Sequence, residues 1–176
     1  MHPLVRLAKK AVEKYIKEGE VISPPLDFPQ EFLTRKSGTF VTIEKNKKLR
    51  GCIGTYLPTQ DSIAKEVIQN AISSAIRDPR FPQVAKEELP VLSYIVYILY
   101  PPELVSDISK LNPKKYGVIV KTIPKEGEVQ KSALLLPDLE GVETVEDQLS
   151  ITCQKGGIDP AQEELVIYRF KVDKYQ

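Results

Sequence analysis

The sequence has little of what most metal and hydrolytic sites are made from: one histidine, two cysteines, one methionine and no tryptophan in 176 residues. A structural zinc site takes four Cys or His ligands, and the chain owns three such residues, so no metal is expected. A Ser-His-Asp or Cys-His triad would have to recruit His2, on the stretch where most domains are least ordered. Cys52 and Cys153 lie far apart with no signal peptide before them, the usage of cytosolic thiols rather than of a disulfide framework. Charge of one sign is missing too. With 25 basic against 24 acidic side chains the net charge is +1, which argues against a surface built throughout to attract nucleic acid. The longest apolar run, Val91 to Tyr100, is interrupted by Ser93 and falls well short of the ~20 residues of a membrane helix. These absences predict a cytoplasmic protein with no membrane span, and nothing in the sequence calls for a cofactor.

What is present is a chain long enough to bury roughly 70% of its unfolded surface, so a core can form without a metal or a disulfide. Hydrophobic residues are 41% and charged residues 28%, the composition of an ordered globular protein. Pro3 to Lys17 places Leu4, Leu7, Ala8, Ala11, Val12, Tyr15 and Ile16 on one helical face, and Gly19 is a natural stop. Ser23 to Pro29 reads as an extended connector, because each proline holds its predecessor out of helical geometry. Phe40–Ile43 and Leu49–Thr55 read as strands joined by a hairpin turn at Lys45-Asn46-Lys47-Lys48. A second helix spans about Asp61 to Arg77, with a buried stripe of Ile63, Val67, Ile68, Ala71, Ile72, Ala75 and Ile76 and an end enforced by Pro79.

Val91 to Tyr100 is apolar at both parities, the pattern of a strand covered on both faces. Val118–Lys121 and Val129–Leu136 flank a turn at Pro124–Gly127, Thr144 to Lys155 forms a third helix, and Leu165 to Val172 alternates with Val166, Tyr168, Phe170 and Val172 inward. Helices interspersed with hairpins, rather than a regular strand-helix alternation, predict an α+β fold.

Two segments combine charge, glycine and proline at the ends of regular elements: Arg50-Gly51-Cys52-Ile53-Gly54-Thr55 and Asp78-Pro79-Arg80-Phe81-Pro82. Glycines inside a strand mark a bulge or the close approach of another backbone or a ligand. The prolines stiffen the second segment, so Asp78 and Arg80 are held in fixed directions. The first segment resembles the signature of the AMMECR-domain family, whose microbial members are called AmmeMemoRadiSam system protein A. Four further segments agree in order: Leu4-Val5-Arg6-Leu7-Ala8, Asp78 to Pro82, Leu134-Leu135-Leu136-Pro137, and Cys153-Gln154-Lys155-Gly156-Gly157-Ile158. Gln83 and Gly156 depart from the usual proline and alanine, and Asp138 to Val142 stands where one branch of the family carries tryptophans. The resemblance implies one domain over residues 1–176 with two packed lobes, in which helices pack on mixed or antiparallel sheets. It implies no established activity. The system name implies Memo-like and radical-SAM proteins as partners.

The candidate ligand-binding residues are Arg50, Gly51, Cys52, Gly54, Thr55, Asp78 and Arg80. Arg50 could reach a carboxylate or phosphate, or form a structural ion pair with Asp78 as its candidate partner. Cys52 is the one candidate nucleophile; Arg50 would lower its pKa only if the strand is regular between them, and otherwise it is a small buried hydrophobe. Cys153, on the stripe of Val145 and Leu149, is a packing residue, and Gly51 with Gly54 give backbone relief rather than a phosphate loop. Around the third helix start, Glu143, Glu146 and Asp147 favour the macrodipole and Thr144 can cap. The leading expectation is a cleft for a small polar or anionic ligand or a partner, where the two segments meet. The alternative is a nucleic-acid-binding regulator using Lys45, Lys47, Lys48 and Arg50 with Lys114 and Lys115.

Overall fold

The computed structural model describes residues 1–176. The chain divides into two compact units, one of residues 1–99 with 173–176 and the other of residues 100–172. In the first unit α1 (Pro3–Glu18) buries Leu4, Val5, Leu7, Ala8, Ala11 and Val12, and Gly19 ends it in the left-handed conformation. His2 is its N-cap: Nδ1 accepts the Leu4 amide at 3.3 Å, and the ring stacks on Tyr175 with centroids 4.0 Å apart. Burial and then the nearby Arg6 and amino-terminal charges lower the pKa of this histidine, against an upward pull from Glu31.

The proline-rich connector runs into α2 (Gln30–Thr34), a short helix that no periodicity foretells. The hairpin β1 (Thr39–Lys45) and β2 (Lys48–Thr55) turns at Asn46 and Lys47, both with positive φ, as a right-twisted two-residue turn demands. Helix α3 (Ile63–Ile76) starts on Ser62, whose Oγ accepts the Lys65 amide. A 3-10 turn at Lys86–Val91 leads into β3 (Leu92–Leu99), every residue of which is buried except Ser93. The last strand proposed from the sequence is in fact two. It breaks at Lys171, and its end forms β8 (Val172–Tyr175), which joins this sheet in the order β2-β1-β3-β8.

The second unit holds β4 (Glu103–Leu104), β5 (Gly117–Thr122), β6 (Ser132–Leu135), α4 (Val145–Gly156) and β7 (Leu165–Phe170), with antiparallel sheet order β4-β7-β5-β6. The hairpin loop is longer than the sequence suggests: Val129 is exposed and outside the strand. The inward parity of β7 also differs from expectation. Leu165 and Ile167 pack with Val120, Cys153, Ile158 and Leu149 under α4, while Val166 and Tyr168 take the opposite face. Phe170 is buried as expected, its ring lying over the bare Cα of Gly117 on the next strand. Thr144 and Asp147 form a reciprocal capping box, and Gly157 closes α4 in the left-handed region. The chain is therefore α+β, with two antiparallel sheets and helices packed on them. None of its helices is long and apolar enough to cross a membrane.

Candidate functional site

Strand β2 is the edge of its sheet, and an open edge leaves main-chain donors without partners. Here α3 closes it with polar side chains at every fourth position. The Cys52 amide donates to Asp78 Oδ2 at 2.8 Å and the Ile53 amide to Ser74 Oγ at 2.8 Å. Ser74 Oγ donates in turn to the Val41 carbonyl at 2.7 Å. Asn70 Nδ2 donates to the Thr39 carbonyl at 3.0 Å and approaches Thr55 Oγ1 at 3.4 Å. Glu66, fully buried, accepts from the hydroxyls of Thr55 and Thr59 and from the amides of Thr59 and Gln60, at 2.7 to 2.8 Å. Four hydrogen bonds thus satisfy this carboxylate with no cation beside it.

The two glycines follow from the same close packing. A Cβ on Gly51 would overlap the carbonyl oxygen of Ser74, and one on Gly54 would overlap the Phe40 ring and the Thr39 carbonyl. Both are occupied by the protein itself, as is Thr55, whose hydroxyl is held by Glu66.

Arg50 sits at a β-bulge. Ile43 pairs with Gly51 and Glu44 with Leu49, so Arg50 is the extra residue on β2, and its side chain leaves the regular alternation. Its expected ion pair with Asp78 is absent. Arg50 grips Glu88 instead, with Nε to Oε1 at 3.0 Å and Nη2 to Oε2 at 2.8 Å, and Nη1 donates to the Pro82 carbonyl at 2.9 Å. Lys45 reaches the same carboxylate at 3.0 Å. This bidentate fork, with help from the Ala85 amide and Lys45, holds the Glu88 carboxyl down at about 2 against the pull of burial. Glu88 had no signal in the sequence, because the 3-10 turn that carries it has no periodicity.

Asp78 pairs with its near neighbour. Arg80 Nε and Nη2 donate to Asp78 Oδ1 and Oδ2 at 3.0 and 2.8 Å, and Arg80 Nη2 lies 3.4 Å from the Cys52 carbonyl. The Arg80 pair first, and the Cys52 amide next among the hydrogen bonds, keep the Asp78 carboxyl at about 2 although burial opposes them. The Arg80 pKa is raised, chiefly by Asp78 and in lesser part by the Cys52 side chain. The Phe81 ring is near both guanidiniums, its centroid 6.0 Å from Arg50 Cζ and 5.6 Å from Arg80 Cζ.

The two segments therefore meet, but not as bare amides between two free cations. The Cys52 and Ile53 amides are occupied, and every guanidinium nitrogen of Arg50 is already engaged by Glu88, Pro82 or Gln83. What faces solvent is Arg80, whose side chain is 53% exposed and whose Nη1 makes no hydrogen bond, next to the half-buried Cys52. Thr42 Oγ1 lies 3.2 Å from Cys52 Sγ. The cation beside the thiol is Arg80 rather than Arg50. Cys153 is buried, and burial and then the Glu163 charge raise its pKa, the environment of an inert thiol. No group of three or more His, Cys, Asp or Glu side chains is arranged to hold a metal ion.

Two antiparallel sheets, each with its own packed helix, and a glycine-bearing edge strand locked by the turn after a helix define a distinct class of α+β protein. A model of the AMMECR1 family matches residues 5–175, and the chain belongs to that family. It is 49% identical over 176 residues to a protein of Thermotoga maritima, covering 99% of this chain and 98% of that one. A protein of Clostridium acetobutylicum is 43% identical over 99% of this chain, which spans only 36% of that relative. The crystal structure of an uncharacterised protein from Pyrococcus horikoshii superposes with a TM-score of 0.87 at 36% identity, covering 97% of this chain and 88% of the other.

Proposed function

We propose that this AMMECR1-family protein is a cytoplasmic binding component that takes a small polar or anionic group, on a free ligand or on a partner, at Arg80 beside Cys52. The observation that carries the reading is the state of Arg80. Asp78 orients its guanidinium through two hydrogen bonds with the Phe81 ring nearby, while Nη1 is unbonded and half of the side chain remains open to solvent. An arginine held this way meets a carboxylate or phosphate with little further loss of side-chain freedom. Cys52, flanked by that cation and by the Thr42 hydroxyl, is the group next to any bound anion and the candidate nucleophile. Memo-like and radical-SAM proteins are the proposed partners, by resemblance to the AmmeMemoRadiSam system.

The test is an amide-resolved NMR titration with inorganic phosphate and with succinate, alongside copurification with the two partner proteins. Saturable shifts at Cys52 to Thr55 and at Phe81, lost in Arg80→Ala, are expected, together with weakened copurification of that variant. Absence of any saturable shift, with unchanged partner recovery, would remove the site. Nucleic-acid binding has less support: Lys45 and Arg50 are bound to Glu88, and Lys114 to Glu143 at 3.0 Å.

A further inference from the structure

A hollow of about 430 Å³ lies in the first unit, between α1 and the proline-rich connector, lined by Pro3, Leu7, Pro25, Phe28 and Pro29 and by three charged residues. Those three are Arg6, Lys10 and Asp27, and none of them belongs to an ion pair. Their charges are thus left for whatever enters the hollow. On the same α1, Lys9 pairs with Glu13, and Lys14 with Glu18 and Glu20. Arg6 and Lys10 are one turn apart, so their side chains emerge together on one face. Phe28 and Leu7 are buried and give the hollow an apolar floor, while Pro25 and Pro29 stiffen the wall that carries Asp27.

We infer that this hollow binds a small molecule or chain end that joins one carboxylate to an N–H donor and an apolar side chain. The cations receive the carboxylate, Asp27 accepts from the N–H group, and the side chain lies against Leu7 and Phe28. The volume falls in the range of small-ligand pockets, and its lining mixes apolar surface with a few charged groups, as such sites do. The charge pattern selects the class. A carboxylate can sit with Arg6 and Lys10 while an N–H group, amide or ammonium, sits with Asp27, whereas a phosphate dianion brings no donor for Asp27 and would leave it facing excess negative charge. The same chemistry is offered by a free amino acid and by the C-terminal residue of a peptide.

The experiment is an NMR titration of the whole chain with leucine, N-acetyl-leucine and leucinamide. The first two are expected to give saturable shifts at residues 3–10 and 25–29, and leucinamide, which lacks the carboxylate, none. The tighter of the two binders identifies the source, an ammonium or a peptide N–H. Replacing both Arg6 and Lys10 with Ala should weaken binding at least about tenfold, the worth of a charge-assisted hydrogen bond. The Lys9→Ala, Lys14→Ala variant should bind as the wild type does. All four substitutions fall on α1's polar face, and retained amide dispersion reports the fold. Shifts of equal size with leucinamide, no saturable shift with either carboxylate, or unchanged binding in the Arg6, Lys10 variant would overturn the inference.

Discussion

The helices α3 and α4 each cover a sheet with an apolar stripe, yet α3 adds a row of polar side chains bonded to the strands where α4 has little of the kind. Helix α3 meets β1 and β2 through Glu66, Asn70 and Ser74, with Asp78 just beyond its end, and those side chains read main-chain groups of the strands. Helix α4 lies on β5 and β6, and its Leu149 and Cys153 join Ile158, just past the helix, in an apolar cluster with Val120, Leu165 and Ile167. Its buried polar pair is used sparingly: Gln148 donates to the Tyr116 carbonyl and Thr152 to the Gln148 carbonyl. Apolar packing is tolerant of small shifts, while a buried hydrogen bond is worth most at one geometry. The region that carries the candidate site is the one whose register is fixed by hydrogen bonds. That fixity holds Cys52 and Arg80 in one relation to each other, which a binding site requires.

The comparison can be broken most severely at Gly51. Gly51→Ala drives a methyl into the Ser74 carbonyl, and the helix must lift from the strand; we expect a loss of about 3 kcal/mol in denaturant unfolding. Ser74→Ala strips the partner from the Ile53 amide and the Val41 carbonyl, with an expected cost of about 2 kcal/mol. Native-state hydrogen exchange should place that loss in α3 and β2. Cys153→Ala, the matching change in the apolar region, should cost about 1 kcal/mol and leave the exchange of α3 untouched. Equal losses from the Ser74 and Cys153 variants would erase the distinction between the two helices.

A change of pH sharpens the same contrast without any substitution. Asp78 and Glu88 both titrate at about 2 in the folded chain, against ordinary values of 3.8 and 4.5. Groups with depressed folded pKa values contribute stability that is complete above the unfolded values and is lost as pH falls toward the folded ones. The first unit should therefore weaken between pH 4.5 and 2, by about 1 kcal/mol for each carboxylate once solvent screening of Arg80 and Lys45 is allowed for. The Asp78→Asn, Glu88→Gln double variant should show a flatter acid limb when unfolding midpoints are followed across that range.

The sequence made some of this visible and hid the rest. The three long helices were legible because each joins a 3.6-residue apolar stripe to a recognisable start or stop: Gly19, Pro79, and Thr144 with Gly157. The meeting of the two signature segments was legible from their stiffness and glycine content. Their wiring was not. Spacing cannot show that Arg50 occupies a bulge, and without that the Arg50–Asp78 pair looked natural while Glu88 stayed invisible in an aperiodic turn. A usable signal was nevertheless present: Glu66, Asn70, Ser74 and Asp78 recur every fourth residue, a second polar line beside Lys65, Gln69 and Ser73 that widens the polar face toward the apolar stripe. Such a line is the mark of side chains that must satisfy a neighbouring backbone. The inward parity of β7 failed for another reason, since both of its faces carry apolar residues and alternation alone cannot choose between them.

The proposal of an anion seat at Arg80 is tested most directly by the alkylation rate of Cys52 with iodoacetamide, with and without inorganic phosphate, in the wild type and in Arg80→Ala. The prediction is that Cys52 reacts in the folded chain while Cys153 stays silent, that phosphate slows the reaction saturably, and that Arg80→Ala abolishes this protection. A Cys52 that does not react until the chain unfolds, or one that phosphate protects equally well without Arg80, would contradict it.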